Sequence, residues 1–512
     1  MTGRYFNRRA AVFVGLIVSL SGSSALAQSN GGSSIELQRQ GMEVVEAAIT
    51  ATGGRAAIMS ANTVELLVST EVYSLGQGVR PDADATVGDG GPITLRYLID
   101  IAGDRHVYEQ VLSDTANQPR ARLVVLPDEI FVYTPARNIV QPVVDMTPLR
   151  PLTRGLPYVP ATLLDATDHA ASIRLLGDKT IAGTAYRVVT YADGSNQQVA
   201  LYFDRQTRLL GRSEIVESHE QLGDHVVEIV YDDYRTVGAL RIPHKISVYT
   251  AGTLATVSEF NDVDLAATMD AALLIYPDSA NQLPALTGPV PSPEMEVTEL
   301  SDGIYAIMNA TAGYNLMFVD HGDHVFVIEA PISTAITRAV LQKIDETLPG
   351  KPVRYAMITH YHYDHSGGLW GFMTNGTTIV TTPGIEQFVY DVAAVPRTLD
   401  CEPPLGARPG VELVRENRTF GSGDTAVEVY DVSPNPHADE LLIAYLPALK
   451  LMYVADVYNY TGQIQQNNEL LLPLADKLEE LGLEIERVLP THGQEATGET
   501  FWESVRLGRE GS

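Results

Sequence analysis

The sequence predicts an α+β protein in two parts. An antiparallel, β-rich domain with one flanking helix comes first; two β-sheets lying face to face, with helices outside, follow it. Three observations predict this layout. Residues 64–249 hold a succession of short β-branched or aromatic runs separated by polar turns. Beyond residue 295, strand-like runs alternate with amphipathic helical ones. In that second half, histidines and aspartates gather just after apolar runs, where sheet proteins place their sites.

The chain opens as an export signal over residues 1–27. Arg4, Arg8 and Arg9 precede the apolar run 10–20, and Ala25-Leu26-Ala27 is a small-x-small cleavage site before Gln28. The run is too short to span a membrane comfortably, so no transmembrane anchor is expected after cleavage. Arg8-Arg9 also permits the twin-arginine route. The mature protein is expected in the periplasm or the medium. Formal charge is −29, and losing the three leader arginines deepens it. Such a chain repels nucleic acid and anionic membrane surfaces, which leaves a small-molecule substrate as the expected partner. The single cysteine, Cys401, allows no intrachain disulfide, and it stands among Pro and Glu without a neighbouring His.

The first domain is expected over residues 28–285. Residues 35–50 have helical spacing, with Leu37, Val44, Val45, Ala48 and Ile49 on one side and Gly53-Gly54 as the stop. Strands are expected at 64–72, 93–99, 121–126, 129–133, 186–191, 198–203, 209–216, 226–231 and 245–249. Residues 76–92, rich in Gly and Asp, read as a mobile surface loop. The turn chemistry of 201–210 and 232–243 weakly resembles the curved sheet of periplasmic lipoprotein-carrier and sorting proteins. That resemblance implies a concave apolar face for a hydrophobic ligand; the alternative is a sheet packed on its own helix or on the second domain. Residues 286–294, with Pro289, Pro291 and Pro293 alternating, form a linker.

The second domain, 295–512, begins with strands at 303–308, 314–319 and 325–328. A helix over 334–348 turns Ile336, Val340, Leu341 and Ile344 inwards. A mostly apolar strand at 353–358 leads into Thr359-His360-Tyr361-His362-Tyr363-Asp364-His365-Ser366-Gly367-Gly368. A helix near 384–392, a hairpin 441–446/451–455 and a last helix at 474–481 follow. The run 360–365 has too many polar groups to bury without a metal, and neutral imidazole with carboxylate suits Zn²⁺. Partners stand downstream at strand ends: His437 after 427–432, Asp456 after 451–455 and His492 after 487–489.

With His360, His362, Asp364 and His365 in an HxHxDH run and His437, Asp456 and His492 in order behind it, residues 295–512 resemble the metallo-β-lactamase-fold hydrolase superfamily. The resemblance supplies the name αββα sandwich. It implies that His360, His362 and His437 hold one metal, that Asp364, His365 and His492 hold a second, and that Asp456 bridges. Two Zn²⁺ per chain, roughly 3.5–4 Å apart, would lower the pKa of a shared water toward ~7 and supply a hydroxide nucleophile. Asp364 and Asp456 would orient it and carry protons. Tyr361, Tyr363, Tyr458 and Asn459 are candidates for substrate contact or simple packing.

Two departures from the family pattern stand out. Glu329 takes the place of an Asp that in the family supports the metal loop, and Ala455 replaces the Gly before the bridging Asp. Asp456 leans away from true β-lactamases, which have Cys or Ser there. The expected reaction is therefore hydrolysis of an ester, lactone, thioester or amide. The alternatives are a mononuclear-iron sulfur dioxygenase, and a hydrophobic-ligand carrier or sensor with a non-catalytic metal domain.

Overall fold

The computed structural model describes residues 33–81, 91–111, 119–144, 158–194, 196–285, 291–311, 313–464 and 468–511. The expected export signal and most of the proline linker lie outside the described residues. Among those described, no helix is long and apolar enough to cross a membrane.

The first domain is a single fourteen-stranded sheet, antiparallel except for one short edge pair. Two meanders, 63–142 and 174–264, join where Thr63–Val72 pairs with Thr253–Asp264. The sheet's apolar face is covered by its own helices. Val45, Ala48 and Ile49 of Ser34–Thr52 and Leu163 and Ala166 of Val159–Asp168 are buried with Leu66, Leu201, Val227 and Ile242. Ser33 caps the first helix by accepting from the Glu36 amide, and Gly53, at φ 133°, ends it. One apolar face of the sheet is thus covered from within, as in the alternative weighed against a ligand groove.

The strand at Arg105–Val111 was not expected, because Glu109 interrupts its apolar alternation. That carboxylate is buried, and it accepts from Arg96 at 3.1 Å and Arg122 at 2.8 Å on the two neighbouring strands. A buried charge is tolerated only with such partners. The 223–237 strand likewise runs through Asp232-Asp233, which reads locally as a turn; Asp233 takes a positive φ of 51° there.

The second domain is a four-layer αββα sandwich. Its first sheet has seven strands, antiparallel from Glu296–Ser301 to Val325–Ile328 and parallel through Val353–Met357, Thr378–Thr381 and Val411–Leu413. Its second sheet has six, from Asn417–Phe420 to Ala496–Thr497. Between the sheets, Met317, Phe326, Ile328 and Met357 pack on Val427, Leu442, Ala444 and Tyr453, all fully buried. Helices Thr334–Thr347, Leu369–Thr374 and Glu386–Ala394 cover the first sheet. Helices Asn468–Leu481 and Gly498–Gly511 cover the second, and the latter was not expected. Its buried stripe is Phe501, Ser504, Val505 and Gly508, so only two large apolar residues mark it in sequence.

Of the surface loop expected over residues 76–92, residues 82–90 lie outside the described residues, and residues 73–81 lead into it. They leave the strand Thr63–Val72 and run across to the second domain, where the Val79 carbonyl accepts from the Asp439 amide at 2.8 Å. Small and polar residues allow this because the contacts are made by backbone.

Candidate metal centre

Four strands deliver the site. Val353–Met357 runs into the 359–366 loop, Val427–Asp431 leads to His437, Leu451–Val454 to Asp456 and Arg487–Pro490 to His492. All sit at one end of the sandwich. The loop turns back into the short helices Tyr363–Ser366 and Leu369–Thr374, and glycine is required there. A Cβ on Gly367 would lie 2.0 Å from the Ile332 carbonyl oxygen, and one on Gly368 2.2 Å from that of Pro331. Backbone cannot yield cheaply, so Gly368→Ala is expected to cost about 1–3 kcal/mol. A thermal melt should record this as a drop of about 2–4 °C per kcal/mol.

The structure brings all seven sequence-predicted residues together, in two groups that share Asp456. His360, His362, His437 and Asp456 form one; Asp364, His365, His492 and Asp456 form the other, with the donor atoms of each group within 4.8 Å of one another. His437 Nε2 is 3.1 Å from His360 Nε2 and 3.0 Å from Asp456 Oδ2. His365 Nε2 lies 2.9 Å from Asp456 Oδ2 and 3.2 Å from Asp364 Oδ2, off the direction a hydrogen bond needs. His492 Nε2 is 3.1 Å from Asp364 Oδ2 and 3.5 Å from Asp456 Oδ1. His360, His362 and His365 are buried, whereas the Asp364 and His492 side chains keep 28% and 31% exposure, which marks the open side.

Two observations test whether these residues fit a metal. His362 Nδ1 and His365 Nε2 are buried without a hydrogen-bond partner, a costly state for a ring nitrogen unless a cation takes its lone pair. Imidazole nitrogens crowd together at hydrogen-bond distance around one carboxylate, which is a donor set for Zn²⁺-like ions. The set fits.

Electrostatics agree with ligands kept neutral or anionic. Burial, helped by the neighbouring His365, pushes His360 well below its ordinary pKa. Burial pushes His362 down to about 4. Burial opposes charge on Asp456, yet the charge of His365 and the imidazoles of His360 and His437 hold it well below the carboxylate range. Asp364 is held down in the same way, against burial, by His365 and His492. His365 is the exception: burial opposes its charge, but Asp456 and Glu329 outweigh that and raise it.

Glu329 sits behind the site, fully buried and at φ 95°. Its Oε2 accepts from Thr359 Oγ1 at 2.8 Å and from His365 Nδ1 at 3.0 Å, so the Nε2 of His365 is turned to the cluster. Thr359 Oγ1 is also 3.1 Å from His360 Nδ1. Asp456 has φ 58°, a second non-glycine positive φ at the centre. The candidate substrate residues separate. Tyr458 is buried against Phe501 and packs the core, and Asn459 Nδ2 lies 3.4 Å from the Asp456 carbonyl. Tyr361 is buried, and its hydroxyl donates to the Gly78 carbonyl; Tyr363 lies on His219.

Sequence reasoning missed Gln221, from the turn before Gly223–Val237. It is buried, and its Nε2 donates to the Tyr361 carbonyl at 3.0 Å and Ser366 Oγ at 2.7 Å. It also missed Gly78, whose carbonyl accepts from His362 Nε2 at 2.9 Å. Nothing local to either residue signals these contacts.

Residues 312–492 match the family model of the Metallo-beta-lactamase superfamily. Among solved structures, a metallo-beta-lactamase from Pontibacter korlensis is 19% identical and covers 42% of this chain and 99% of its own, with a TM-score of 0.34. A metallo-beta-lactamase from Hirschia baltica is 14% identical and covers 42% and 97%, with a TM-score of 0.33. One from Pseudomonas aeruginosa, in a mono-zinc form, is 17% identical and covers 43% and 96%, with a TM-score of 0.34.

Proposed function

We propose that this chain, whose residues 312–492 match the metallo-beta-lactamase superfamily, is an exported zinc-dependent hydrolase of a small-molecule ester, lactone, thioester or amide. The observation that carries it is the pair of four-donor groups sharing Asp456. His360, His362 and His437 would hold one ion, Asp364, His365 and His492 the other, and Asp456 would face both. When bound, two such ions would lower the pKa of a water toward ~7 and polarise the scissile carbonyl.

The chain's own residues do the rest. Glu329 and Thr359 hold His365 and His360 by their Nδ1 atoms and aim Nε2 inwards. Asp364, on the open side, is placed to take a proton from the attacking water and return it to the leaving group. The buried walls formed by His360, His365 and Tyr314 keep bulk water to that one side. The basic, then apolar, leader supports action outside the cytoplasm.

Metal content of the purified protein, measured beside a panel of ester, lactone, thioester and β-lactam substrates, tests this. About two zinc ions per chain and turnover of at least one non-β-lactam substrate are expected. One iron per chain with oxygen uptake on a persulfide would replace the proposal with the dioxygenase reading. No metal and no turnover would end it.

A further inference from the structure

The seven clustered residues all lie in the matched segment, yet the first domain reaches their site twice. Residues 73–80 form a strap across the two loops that carry His362 and His437. Gln77 Nε2 lies 3.4 Å from Asp364 Oδ1. The Gly78 carbonyl accepts from Tyr361 Oη and, at 2.9 Å, from His362 Nε2. The Val79 carbonyl accepts from the Asp439 amide, and Arg80 lies 3.5 Å from the Asp439 carboxylate. Gln221 of the same domain clamps the loop from behind through the Tyr361 carbonyl and Ser366. A Cβ on Gly76 would meet Gln221 Oε1 at 3.3 Å, so strap and clamp touch each other.

The contact with His362 has a chemical consequence. A carbonyl oxygen can only accept, so the hydrogen lies on Nε2. A neutral imidazole has one N–H, so Nδ1 then carries the lone pair. That Nδ1 is buried with no hydrogen-bond partner, in a ring whose centroid lies 4.4 Å from that of His360 and 4.5 Å from that of His437. Ligating histidines owe their tautomer and orientation to such an outer hydrogen bond.

We propose that the first domain completes the metal centre: the Gly78 carbonyl takes the Nε2–H of His362 and so commits Nδ1 to the metal. This rests on the metal reading of the site. It makes docking of the two domains and filling of the first metal position linked equilibria, each favouring the other.

The test is Zn²⁺ affinity, measured on the full chain by competition with a chromophoric chelator. Wild type is compared with a chain lacking residues 77–79, and with Tyr361→Phe, which removes the second bond that holds the Gly78 carbonyl in place. Excision is expected to weaken one of the two sites by about 10–100-fold while the chain keeps its circular dichroism spectrum. Tyr361→Phe should weaken the same site less. Wild-type affinity at both sites in the excised, folded chain would overturn the proposal. If excision prevents folding, ¹⁵N-histidine spectra of the zinc-loaded wild type decide, with His362 assigned from the signal missing in His362→Gln. A protonated Nε2 with Nδ1 on the metal is expected, and ligation through Nε2 would overturn the proposal. Wild type that binds no zinc would instead sink the metal reading itself.

Discussion

Asp456→Ala should lower kcat/KM on the best substrate by about 10³-fold or more, about 4 kcal/mol of transition-state stabilisation. No other residue belongs to both donor groups. Its carboxylate lies within 3.5 Å of His360, His365, His437 and His492, so its loss removes a donor from each position. His437→Ala takes a donor only from the first group and should cost less metal. Metal analysis should show Asp456→Ala short of at least one ion, with circular dichroism unchanged. Full metal content with kcat/KM within tenfold of wild type would remove Asp456 from the centre. Asp456→Asn, which keeps shape but not charge, separates the loss of a ligand from the loss of packing.

Stripping the metal with a chelator should abolish turnover, and zinc should restore it. Stability should fall too: an ion present at about 1,000 times its Kd stabilises the native state by about 4 kcal/mol. The stripped site should nevertheless hold together. Burial opposes charge on His365, but Asp456 and Glu329 outweigh it and raise its affinity for a proton. Zinc therefore competes with protons at His365. Calorimetry in buffers of different ionisation enthalpy should therefore show proton release on binding, with zinc affinity falling as pH is lowered. Binding without proton release would mean that His365 is already neutral in the metal-free protein. Turnover that survives complete removal of metal would overturn the hydrolytic proposal.

The fold was legible where a local pattern is also the final environment. The strand at Leu451–Val454 is apolar throughout because both faces are covered, Val353–Met357 is mostly apolar with Arg354 exposed, and both were read as strands for their apolar content. Strands and helices whose burial depends on partners were not. Arg105–Val111 needs Arg96 and Arg122 to make Glu109 tolerable. Gly498–Gly511 shows its apolar stripe only against Asn468–Leu481. The support role expected of Glu329 has a structural basis in its bonds to Thr359 and His365, and that role too was a motif position before it was a contact.

The sequence alone marked the candidate donors. Side-chain chemistry is written in residue identity, and four of the seven fall within six consecutive positions, with the others each beyond a strand. Only the tertiary structure brought the first domain to the site. Gly78 and His362 are 284 residues apart and meet through a backbone carbonyl, a group every residue possesses. A contact made by an atom common to all twenty amino acids leaves no mark in the letters; it exists only once the chain has folded.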